Sequence, residues 1–180
     1  MSRISRDEMF IRIAQVVAMR STCDRANVGA VLVKDNRVIS IGYNGSKPGE
    51  PHCDEVGHLM ENGHCVRTLH AESNAIDFAT KMYPEGIKGL TIYCTHFPCM
   101  GCVITIIQDK FTYDLLGKGV SIERLVYLHD YGDGIEGRIS MLEGQGIKVE
   151  QFTGDLAELP SGELQELPTL GQCPMRLSDG

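Results

Sequence analysis

Two short stretches of this sequence, His70-Ala-Glu-Ser-Asn-Ala75 and Pro98-Cys-Met-Gly-Cys102, place metal-ligand side chains at the starts of two predicted helices. One histidine and two cysteine thiolates supply three of the four positions around a tetrahedral zinc ion, and the fourth can hold a water molecule. Cys99 and Cys102 are three residues apart, so they share one face of a helix whose N-terminal dipole favours thiolates. Glu72 lies two residues after the histidine, where a carboxyl group can move protons without binding the metal.

A structural zinc site and a redox Cys-x-x-Cys pair are the alternative interpretations of these stretches. A structural zinc site normally has four ligands, and a redox pair does not need a His-x-Glu motif upstream. The complete pattern, His-x-Glu followed by Pro-Cys-x-x-Cys, is the signature of zinc-dependent deaminases. The motif therefore favours a deaminase, with a relative that has lost its activity as the main alternative.

Strand-like and helical patterns alternate on both sides of the motif. Apolar residues at helical spacing, namely Phe10, Ile11, Ile13, Ala14, Val17 and Ala18, predict an amphipathic helix over 7–20. Two β-rich runs, 28–34 and 37–43, flank the turn residues Asp35-Asn36 and predict a hairpin. Further along we expect a helix over 70–81 with Ala71, Ala75, Phe78 and Ala79 on one face, a strand over 90–95, a helix opened by Pro98, a looser stretch over 111–120, a strand over 122–128, a helix over 135–142 and a strand over 147–152. This alternation predicts an α/β sandwich around a mixed sheet.

The composition changes along the chain and indicates its domain organisation. Residues 1–154 are the predicted folded domain. Within them, residues 44–68 are an irregular insertion in which Gly and Pro break every period, and such loops in compact domains are usually functional or held in place by something. Residues 155–180 contain Pro160, Pro168 and Pro174 and more acidic than basic side chains, which predicts an extended or disordered tail.

The charge and composition of the chain argue against several classes of protein. With 17 basic and 24 acidic residues the net charge is −7, which disfavours a nucleic-acid binder. No stretch approaches the roughly 18 apolar residues of a membrane span, and Asp7 precedes any signal-peptide core, so we expect a cytoplasmic protein without membrane contact. In a reducing compartment, 7 cysteines and 6 histidines indicate metal binding or catalysis rather than disulfides.

Five successive blocks of the sequence carry a family resemblance that extends over residues 7–152. These blocks are Val28-Gly-Ala-Val, Gly42-Tyr-Asn-Gly45, His64-Cys-Val-Arg-Thr68, His70-Ala-Glu-Ser-Asn-Ala75 and Thr95-His-Phe-Pro-Cys-Met-Gly-Cys102. In this order they resemble the deoxycytidylate (dCMP) deaminase family of the cytidine-deaminase superfamily. The resemblance implies a three-layer sandwich, with helices on both faces of a five-stranded mixed sheet. The sequence departs from the family at 111–120, which is longer than usual, and in the additional tail.

The function that the resemblance implies is the conversion of dCMP to dUMP and ammonia, which feeds dTMP synthesis. It also implies a homo-oligomer, usually a hexamer, with dCTP as an activator and dTTP as an inhibitor, the effector being accompanied by Mg²⁺. Gly42, Gly45 and Ser46 are the residues expected near an effector. No phosphate-binding motif in the sequence supports that location.

Several residues are expected at the substrate, partly by resemblance and partly by position. The resemblance assigns Asn44 to the sugar hydroxyl, Tyr131 to stacking on the base and Ala71 to the substrate. Arg25 precedes the first strand and is the candidate for the phosphate, and His96 follows the third strand at the edge of the pocket. The alternatives are structural: Asn-Gly is a common turn, a strand-end aromatic often only packs, and an arginine can be solvated.

A second group of metal-ligand residues lies around the insertion. The resemblance implies that many family members hold a second, structural zinc with a cysteine before the first strand and ligands from this insertion. Cys23, Cys53, His58 and Cys65 are the expected ligands, with His52 and His64 as competitors and buried free thiols with surface histidines as the alternative. Cys94 is expected to be a buried strand residue, and Cys173 has no assigned role.

Other functions are weighed against dCMP deamination. Some relatives accept dCTP as well as or instead of dCMP, and no residue of the sequence decides the number of phosphates. The same scaffold edits bases in tRNA or DNA, which the acidic chain disfavours. A catalytically silent nucleotide sensor is disfavoured because His70, Glu72, Cys99 and Cys102 are all present.

Overall fold

The computed structural model describes residues 3–61, 64–154 and 156. Its helices are α1 (Arg6–Ala18), α2 (Cys53–Val56), α3 (Ala71–Met82), α4 (Met100–Leu116) and α5 (Ile135–Gly144). Its strands are β1 (Gly29–Lys34), β2 (Arg37–Tyr43), β3 (Gly45–Ser46), β4 (Met60–Glu61), β5 (His64–Cys65), β6 (Thr68–Leu69), β7 (Ile87–His96), β8 (Val120–His129) and β9 (Lys148–Gln151). Among the described residues, no helix combines the length and the apolarity needed to cross a membrane.

Five of these strands form one mixed sheet in the order β2-β1-β7-β8-β9. β1 pairs antiparallel with both β2 and β7, whereas β7, β8 and β9 run parallel. The turn between β1 and β2 is formed by Asp35 and Asn36, both with positive φ, as the tight hairpin turns that match strand twist require. The predicted hairpin and the predicted mixed five-stranded sheet are both confirmed.

Side chains of the sheet alternate between two cores on its opposite faces. In β1, Ala30 and Leu32 belong to the first core, and Val31 and Val33 belong to the second. The first core also contains buried residues of α3, α4 and α5, and the second contains those of α1. Helices therefore cover both faces, which confirms the three-layer sandwich.

A polar network ties the start of α1 to three strands of the sheet. The Arg124 guanidinium donates two hydrogen bonds of 2.8 Å to the Asp7 carboxylate, and the Tyr93 hydroxyl donates to the same carboxylate at 2.6 Å. Arg124 also donates through Nε to Glu150. One bidentate pair, supported by two further partners, thus connects α1 with β7, β8 and β9.

The structure corrects three details of the helix predictions. The stretch 111–120 is not looser, because α4 continues to Leu116 and stops only where Gly117 adopts the left-handed conformation. Pro98 does not occupy the first helical position, since Cys99 is the N-cap and the helix begins at Met100. In α3, Phe78 is 53% exposed, and Ile76 is buried with the three alanines instead.

The insertion 44–68 is less irregular than predicted, because it contains two small strand pairs and a short helix. β3 pairs with β6, β4 pairs with β5, and α2 lies between β3 and β4. Few of its apolar side chains are buried, and Val56, Leu59 and Met60 are exposed. The predicted tail over 155–180 lies outside the described residues apart from Leu156, which packs against the second core. The boundary of the domain therefore stays a prediction.

Candidate active site

The candidate site lies at the sheet edge where β7 and β8 end. Helix α3 begins there with His70 as its N-cap, and α4 begins there with Cys99 as its N-cap. The Thr95 hydroxyl accepts a hydrogen bond of 3.1 Å from the Gly29 amide, which holds the start of β1 at the same edge. Sheet edges at the carboxyl ends of parallel strands are the usual location of α/β binding sites.

His70, Cys99 and Cys102 converge at this edge, and their ligand atoms lie within 4.8 Å of one another. The His70 Nδ1 atom is 3.3 Å from Cys99 Sγ and 3.4 Å from Cys102 Sγ. Tetrahedral zinc with ordinary bond lengths separates a nitrogen and a sulfur ligand by about 3.6 Å. The donor set and its spacing therefore fit a zinc ion with a fourth position left for a water molecule.

The three side chains differ in acidity because they share hydrogen bonds. The hydrogen bond with Cys102, supported by His70, lowers the pKa of Cys99 to about 3, and the same contact raises the pKa of Cys102. The hydrogen bond with Cys99 raises the pKa of His70. Both thiols bind a metal as thiolates, so binding at this pair releases a proton.

Glu72 lies in the first turn of α3 and is almost fully buried, with 3% of its surface exposed. Burial raises its pKa above the ordinary range of a glutamate, because a charged carboxylate loses its hydration there. The charge of His70 and the Cys102 thiol act in the opposite direction, but the effect of burial on the pKa of Glu72 prevails. A carboxyl group that holds a proton more readily than usual is suited to accept and return one.

A cavity of about 340 Å³ opens at this centre and has the size of a small-molecule site. His70, Glu72 and Cys99 lie in its wall. The residues expected at the substrate all line it as well, namely Arg25, Asn44, Ala71, His96 and Tyr131. Their individual roles stay predictions.

Asn44 is largely engaged by the protein itself. Its side-chain oxygen accepts a hydrogen bond of 2.8 Å from the Val28 amide, and its amide nitrogen donates one of 2.7 Å to the Ala26 carbonyl. A carboxamide has two donor hydrogens and two acceptor lone pairs, so one of each stays available to a ligand. Asn44 therefore shapes the wall at residues 26–28 and can still contact a sugar hydroxyl.

Aromatic side chains form the side of the cavity next to β7 and β8. The Tyr131 ring meets the His96 ring edge-on, with 6.3 Å between centroids. His96 Nδ1 is 3.1 Å from the Thr95 hydroxyl, and burial lowers the pKa of His96. His129 lies beside His96, with 5.4 Å between centroids. The site thus presents a neutral aromatic surface for a flat ring.

Cys23, Cys53, His58 and Cys65 form a second convergent group, and their ligand atoms also lie within 4.8 Å of one another. The Cys53 and Cys65 sulfurs are 3.7 Å apart, close to the separation of about 3.8 Å that tetrahedral zinc imposes on two thiolates. Burial opposes ionisation of Cys65, but hydrogen bonds from Thr68 and His58 prevail and lower its pKa to about 6. The four side chains fit a closed zinc site.

The His58 ring is oriented by a carboxylate outside this group. Its Nε2 atom lies 2.9 Å from the Asp24 carboxylate, and its Nδ1 atom lies 3.9 Å from Cys23 Sγ. A carboxylate that accepts from one ring nitrogen leaves the other free to bind a metal, as in many zinc proteins. His52 caps α2 outside the group, and the side chain of His64 lies outside the described part of the chain.

The residues expected near an effector are not among the described residues that line the cavity. Gly42 is the next-to-last residue of β2 and packs against α3, where a Cβ atom would lie 2.1 Å from the Ala71 carbonyl oxygen. Gly45 and Ser46 form β3, which pairs with β6. This segment is a strand end and a short strand instead of an open turn, and its expected effector contacts stay predictions.

Five residues at the site were not found from the sequence. Phe97, Val28, Thr68 and Ala26 line the cavity, and Ser73 Oγ lies 3.8 Å from Cys102 Sγ. Phe97 directly precedes the Pro-Cys-x-x-Cys motif and could have been inferred from that position. Val28, Thr68 and Ser73 lie in blocks that carry the family resemblance but received no role, and Ala26 lies outside these blocks. Cys94 is fully buried in β7, as predicted, and Cys173 lies outside the described residues.

A His-Cys-Cys centre beside a buried glutamate, open to a small cavity, defines the metal site of a zinc-dependent deaminase. The family model described as the cytidine and deoxycytidylate deaminase zinc-binding region matches residues 4–113. This chain belongs to the cytidine and deoxycytidylate deaminase family, which confirms the resemblance found in the sequence.

Individual relatives agree with this assignment. The chain is 40% identical to the ComE operon protein 2 of Bacillus subtilis (strain 168), over 86% of this chain and 75% of that protein. It is 38% identical to the deoxycytidylate deaminase of Mycobacterium phage D29, over 71% of this chain and 97% of that protein. A crystal structure of the dCMP deaminase from cyanophage S-TIM5 in complex with dCMP and dUMP is similar with a TM-score of 0.64 and 28% identity, covering 84% of this chain and all of that chain.

Proposed function

We propose that this chain hydrolyses the C4 amino group of dCMP and releases dUMP and ammonia. The observation that carries the proposal is the buried Glu72 beside His70, Cys99 and Cys102 at the wall of a cavity of about 340 Å³. The similarity to a dCMP deaminase whose structure contains dCMP and dUMP supports this substrate.

We assign a separate role in the reaction to each group of residues at the site. His70, Cys99 and Cys102 would hold a zinc ion, which would lower the pKa of a water molecule towards about 7 and so supply a better nucleophile. Glu72 takes the proton of the attacking water, delivers it to N3 of the pyrimidine and later helps to protonate the departing amine. Tyr131 and His96 hold the flat base, and Asn44 contacts the sugar. Tighter binding of the tetrahedral transition state at C4 than of the planar substrate would then accelerate the reaction.

The phosphate end of the cavity favours a monophosphate. Arg25 is the one lysine or arginine among the described residues that line the cavity, and its Nη1 atom contacts Met60 Sδ of the insertion at 3.3 Å. One guanidinium suits the two negative charges of a monophosphate better than the four of a triphosphate. We therefore expect dCMP to be preferred over dCTP.

Release of ammonia from dCMP, dCTP, cytidine and a short single-stranded oligonucleotide tests the proposal, with each substrate assayed with and without added dCTP effector. We expect turnover of dCMP to exceed that of the other three. Preference for dCTP would support the related triphosphate activity. Preference for the oligonucleotide, or no turnover of any substrate by metal-replete protein, would overturn the proposal.

We also propose that Cys23, Cys53, His58 and Cys65 hold a second, structural zinc. In support, the insertion has little buried apolar surface, so a metal site gives a physical reason for its order. Metal analysis of the purified protein should give two zinc ions per chain, and Cys53→Ser should reduce this to one. The matched control, Cys94→Ser, alters a buried thiol outside both groups and should retain two. One zinc in the unaltered protein would contradict this site.

For assembly and regulation we propose a cytoplasmic homohexamer that dCTP activates and dTTP inhibits, with Mg²⁺ accompanying the effector near Gly42, Gly45 and Ser46. Exposed apolar side chains on α4 support self-association, since Phe111 is 64% exposed and Leu115 is 67% exposed. Mass by light scattering should be six times that of the chain. A monomer, or a dCMP saturation curve that dCTP and dTTP leave unchanged, would contradict these two parts respectively.

A further inference from the structure

Arg138 is a buried cation that the proposed chemistry does not use. It projects from α5 and is only 6% exposed. Among the described residues, no carboxylate lies within ion-pair distance of it, although buried arginines usually have such a partner. Its charge is instead compensated by backbone carbonyl groups and by an aromatic ring.

The guanidinium of Arg138 joins two segments that border the cavity. Nη1 donates a hydrogen bond of 2.7 Å to the carbonyl of Pro98, directly before the metal ligand Cys99. Nη2 donates one of 2.6 Å to the carbonyl of Tyr131 and approaches the carbonyl of Asp133 at 3.4 Å. One planar group thus links the turn that presents a ligand to the loop that presents the ring expected over the base.

The loop between β8 and α5, residues 130–134, depends on such a support. All five residues are exposed, so the loop has little buried surface to hold it. Gly132 and Gly134 both have positive φ and add no side chains that could pack. The guanidinium also lies over the Phe97 ring, 5.2 Å from its centroid, and Phe97 lines the cavity. The contact with Phe97 therefore orients the Arg138 guanidinium, which in turn binds the carbonyl groups of the loop.

We propose that Arg138 is a positioning residue that fixes Tyr131 over the cavity and couples its loop to the turn that carries Cys99. A lysine in its place keeps the charge but has a single nitrogen, which cannot satisfy carbonyl groups on two segments with planar geometry. Displacement of a binding group by about 1 Å can cost about 100-fold in rate. The proposal rests on the proposed function only for the identity of the nucleotide.

The absence of tryptophan from this chain allows a direct test. Tyr131→Trp creates the single tryptophan, whose fluorescence anisotropy reports how firmly the loop is held without any substrate present. In this background, Arg138→Lys should lower the anisotropy of the indole and weaken the binding of dUMP, followed by fluorescence, by about 10-fold or more. Arg138→Met should have a larger effect on both.

Arg124→Lys, in the same Tyr131→Trp background, is the matched control. It weakens a partly buried arginine network around Asp7, in contact with the second core rather than the cavity. We expect it to lower thermal stability while leaving the anisotropy and dUMP affinity unchanged. The same loss of anisotropy in both variants would show a general loosening and overturn the proposal.

A double-mutant cycle on kcat/KM for dCMP separates positioning of Tyr131 from other effects. Arg138→Lys should lower kcat/KM by about 10-fold or more in the unaltered protein, with zinc content retained, but by less than 3-fold when Tyr131→Ala is already present. Equal losses in both backgrounds, or unchanged anisotropy and affinity, would contradict the proposal. Failure of dCMP turnover in the unaltered protein would overturn the proposed function alone, because the anisotropy needs no substrate.

Discussion

At the scale of single residues, the proposed reaction depends on a carboxyl group that is kept away from water. Glu72 is within two residues of a metal ligand, yet its burial leaves it more ready to hold a proton than an exposed glutamate. The three metal ligands are supplied by two helix starts, where the dipole favours thiolates. Proton transfer and metal binding are therefore assigned to different side chains.

Glu72→Gln should abolish most of the activity without loss of metal. The amide has almost the same shape but cannot carry the proton, so we expect kcat/KM for dCMP to fall by at least 100-fold. Steady-state kinetics and metal analysis of the same preparation check this result. Glu123→Gln, an exposed substitution on β8, serves as the control and should behave like the unaltered protein. Retained activity in a metal-replete Glu72→Gln protein would contradict the assigned role.

At the scale of elements, the site depends on how closely α3 packs against β2. Gly42 faces the helix backbone, and a Cβ atom there would lie 2.1 Å from the Ala71 carbonyl oxygen and 2.6 Å from the Ala75 nitrogen. The first turn of this helix carries Ala71 and Glu72, and its N-cap is His70. A glycine remote from the substrate thus sets the distance between the sheet and the catalytic helix.

Gly42→Ala should lower stability and activity together. The methyl group has backbone atoms on its far side, which cannot move as a flexible side chain would, so we expect a loss of about 1–3 kcal/mol in the free energy of unfolding. Displacement of α3 should also reduce kcat/KM for dCMP. Denaturant unfolding and kinetics measure the two effects, and an alanine at 42 that leaves both unchanged would contradict this packing argument.

Gly137→Ala is the matched control for that substitution. Gly137 lies within α5, is exposed, and has no heavy atom within 4 Å of the place a Cβ would occupy. An alanine there should raise stability by about 0.5–1 kcal/mol, since glycine is a poor helix residue. We expect Gly42→Ala to lower the free energy of unfolding and Gly137→Ala to raise it. This difference distinguishes the effect of close packing from the effect of helix propensity.

Some secondary-structure elements could be predicted from the sequence pattern, and others could not. The hairpin around Asp35-Asn36 and the starts of the two catalytic helices are local features, and local patterns predict them. The continuation of α4 to Leu116 was missed although Ile107, Phe111 and Leu115 keep a helical spacing and no Gly or Pro precedes Gly117. Phe78 was placed in the core by its spacing, but it is exposed, and Ile76 is buried with Ala75 and Ala79 instead.

At the scale of the whole molecule, the layers on the two faces of the sheet have different roles. The layer of α3 and α4 carries the metal ligands, while α1 closes the opposite face and is linked to the sheet through Asp7, Tyr93, Arg124 and Glu150. The Arg124 guanidinium, with help from the Tyr93 hydroxyl, lowers the pKa of Asp7. A carboxyl group whose pKa is lower in the folded state than in the unfolded chain stabilises the fold above its unfolded pKa and loses that contribution in acid.

Asp7→Asn should therefore reduce stability at neutral pH and flatten its acid dependence. The difference between the unaltered protein and Asp7→Asn should be full above about pH 5 and should shrink as the pH falls below about 4, where the carboxylate becomes protonated. Urea unfolding midpoints across this range measure it, and metal loss in acid is common to both proteins. Asp114→Asn, which removes an exposed ion pair with Lys110, is the control and should change stability little. A difference that grows towards acid would contradict this sign.

The contacts that assemble the site from distant parts of the chain are the features least predictable from the sequence. The three-layer fold and the residues of both metal groups could be predicted, because motif and family resemblance identify them. The side chains that orient those residues could not, since Asp24 on His58 and Arg138 on two cavity segments depend on contacts between elements far apart in the chain. The engagement of Asn44 by residues 26–28 is invisible in the sequence for the same reason.

The sparse interior of the insertion also has a consequence for how this protein can change over generations. The proposed second zinc would hold the insertion through a few sulfur and imidazole groups, while neighbours such as Val56, Leu59 and Met60 lie at the surface, where substitutions usually cost little stability. Cys23, Cys65 and Thr68 nevertheless belong to the wall of the substrate cavity. Substitutions at the exposed rim should therefore be tolerated more readily than substitutions at these three residues of the cavity wall.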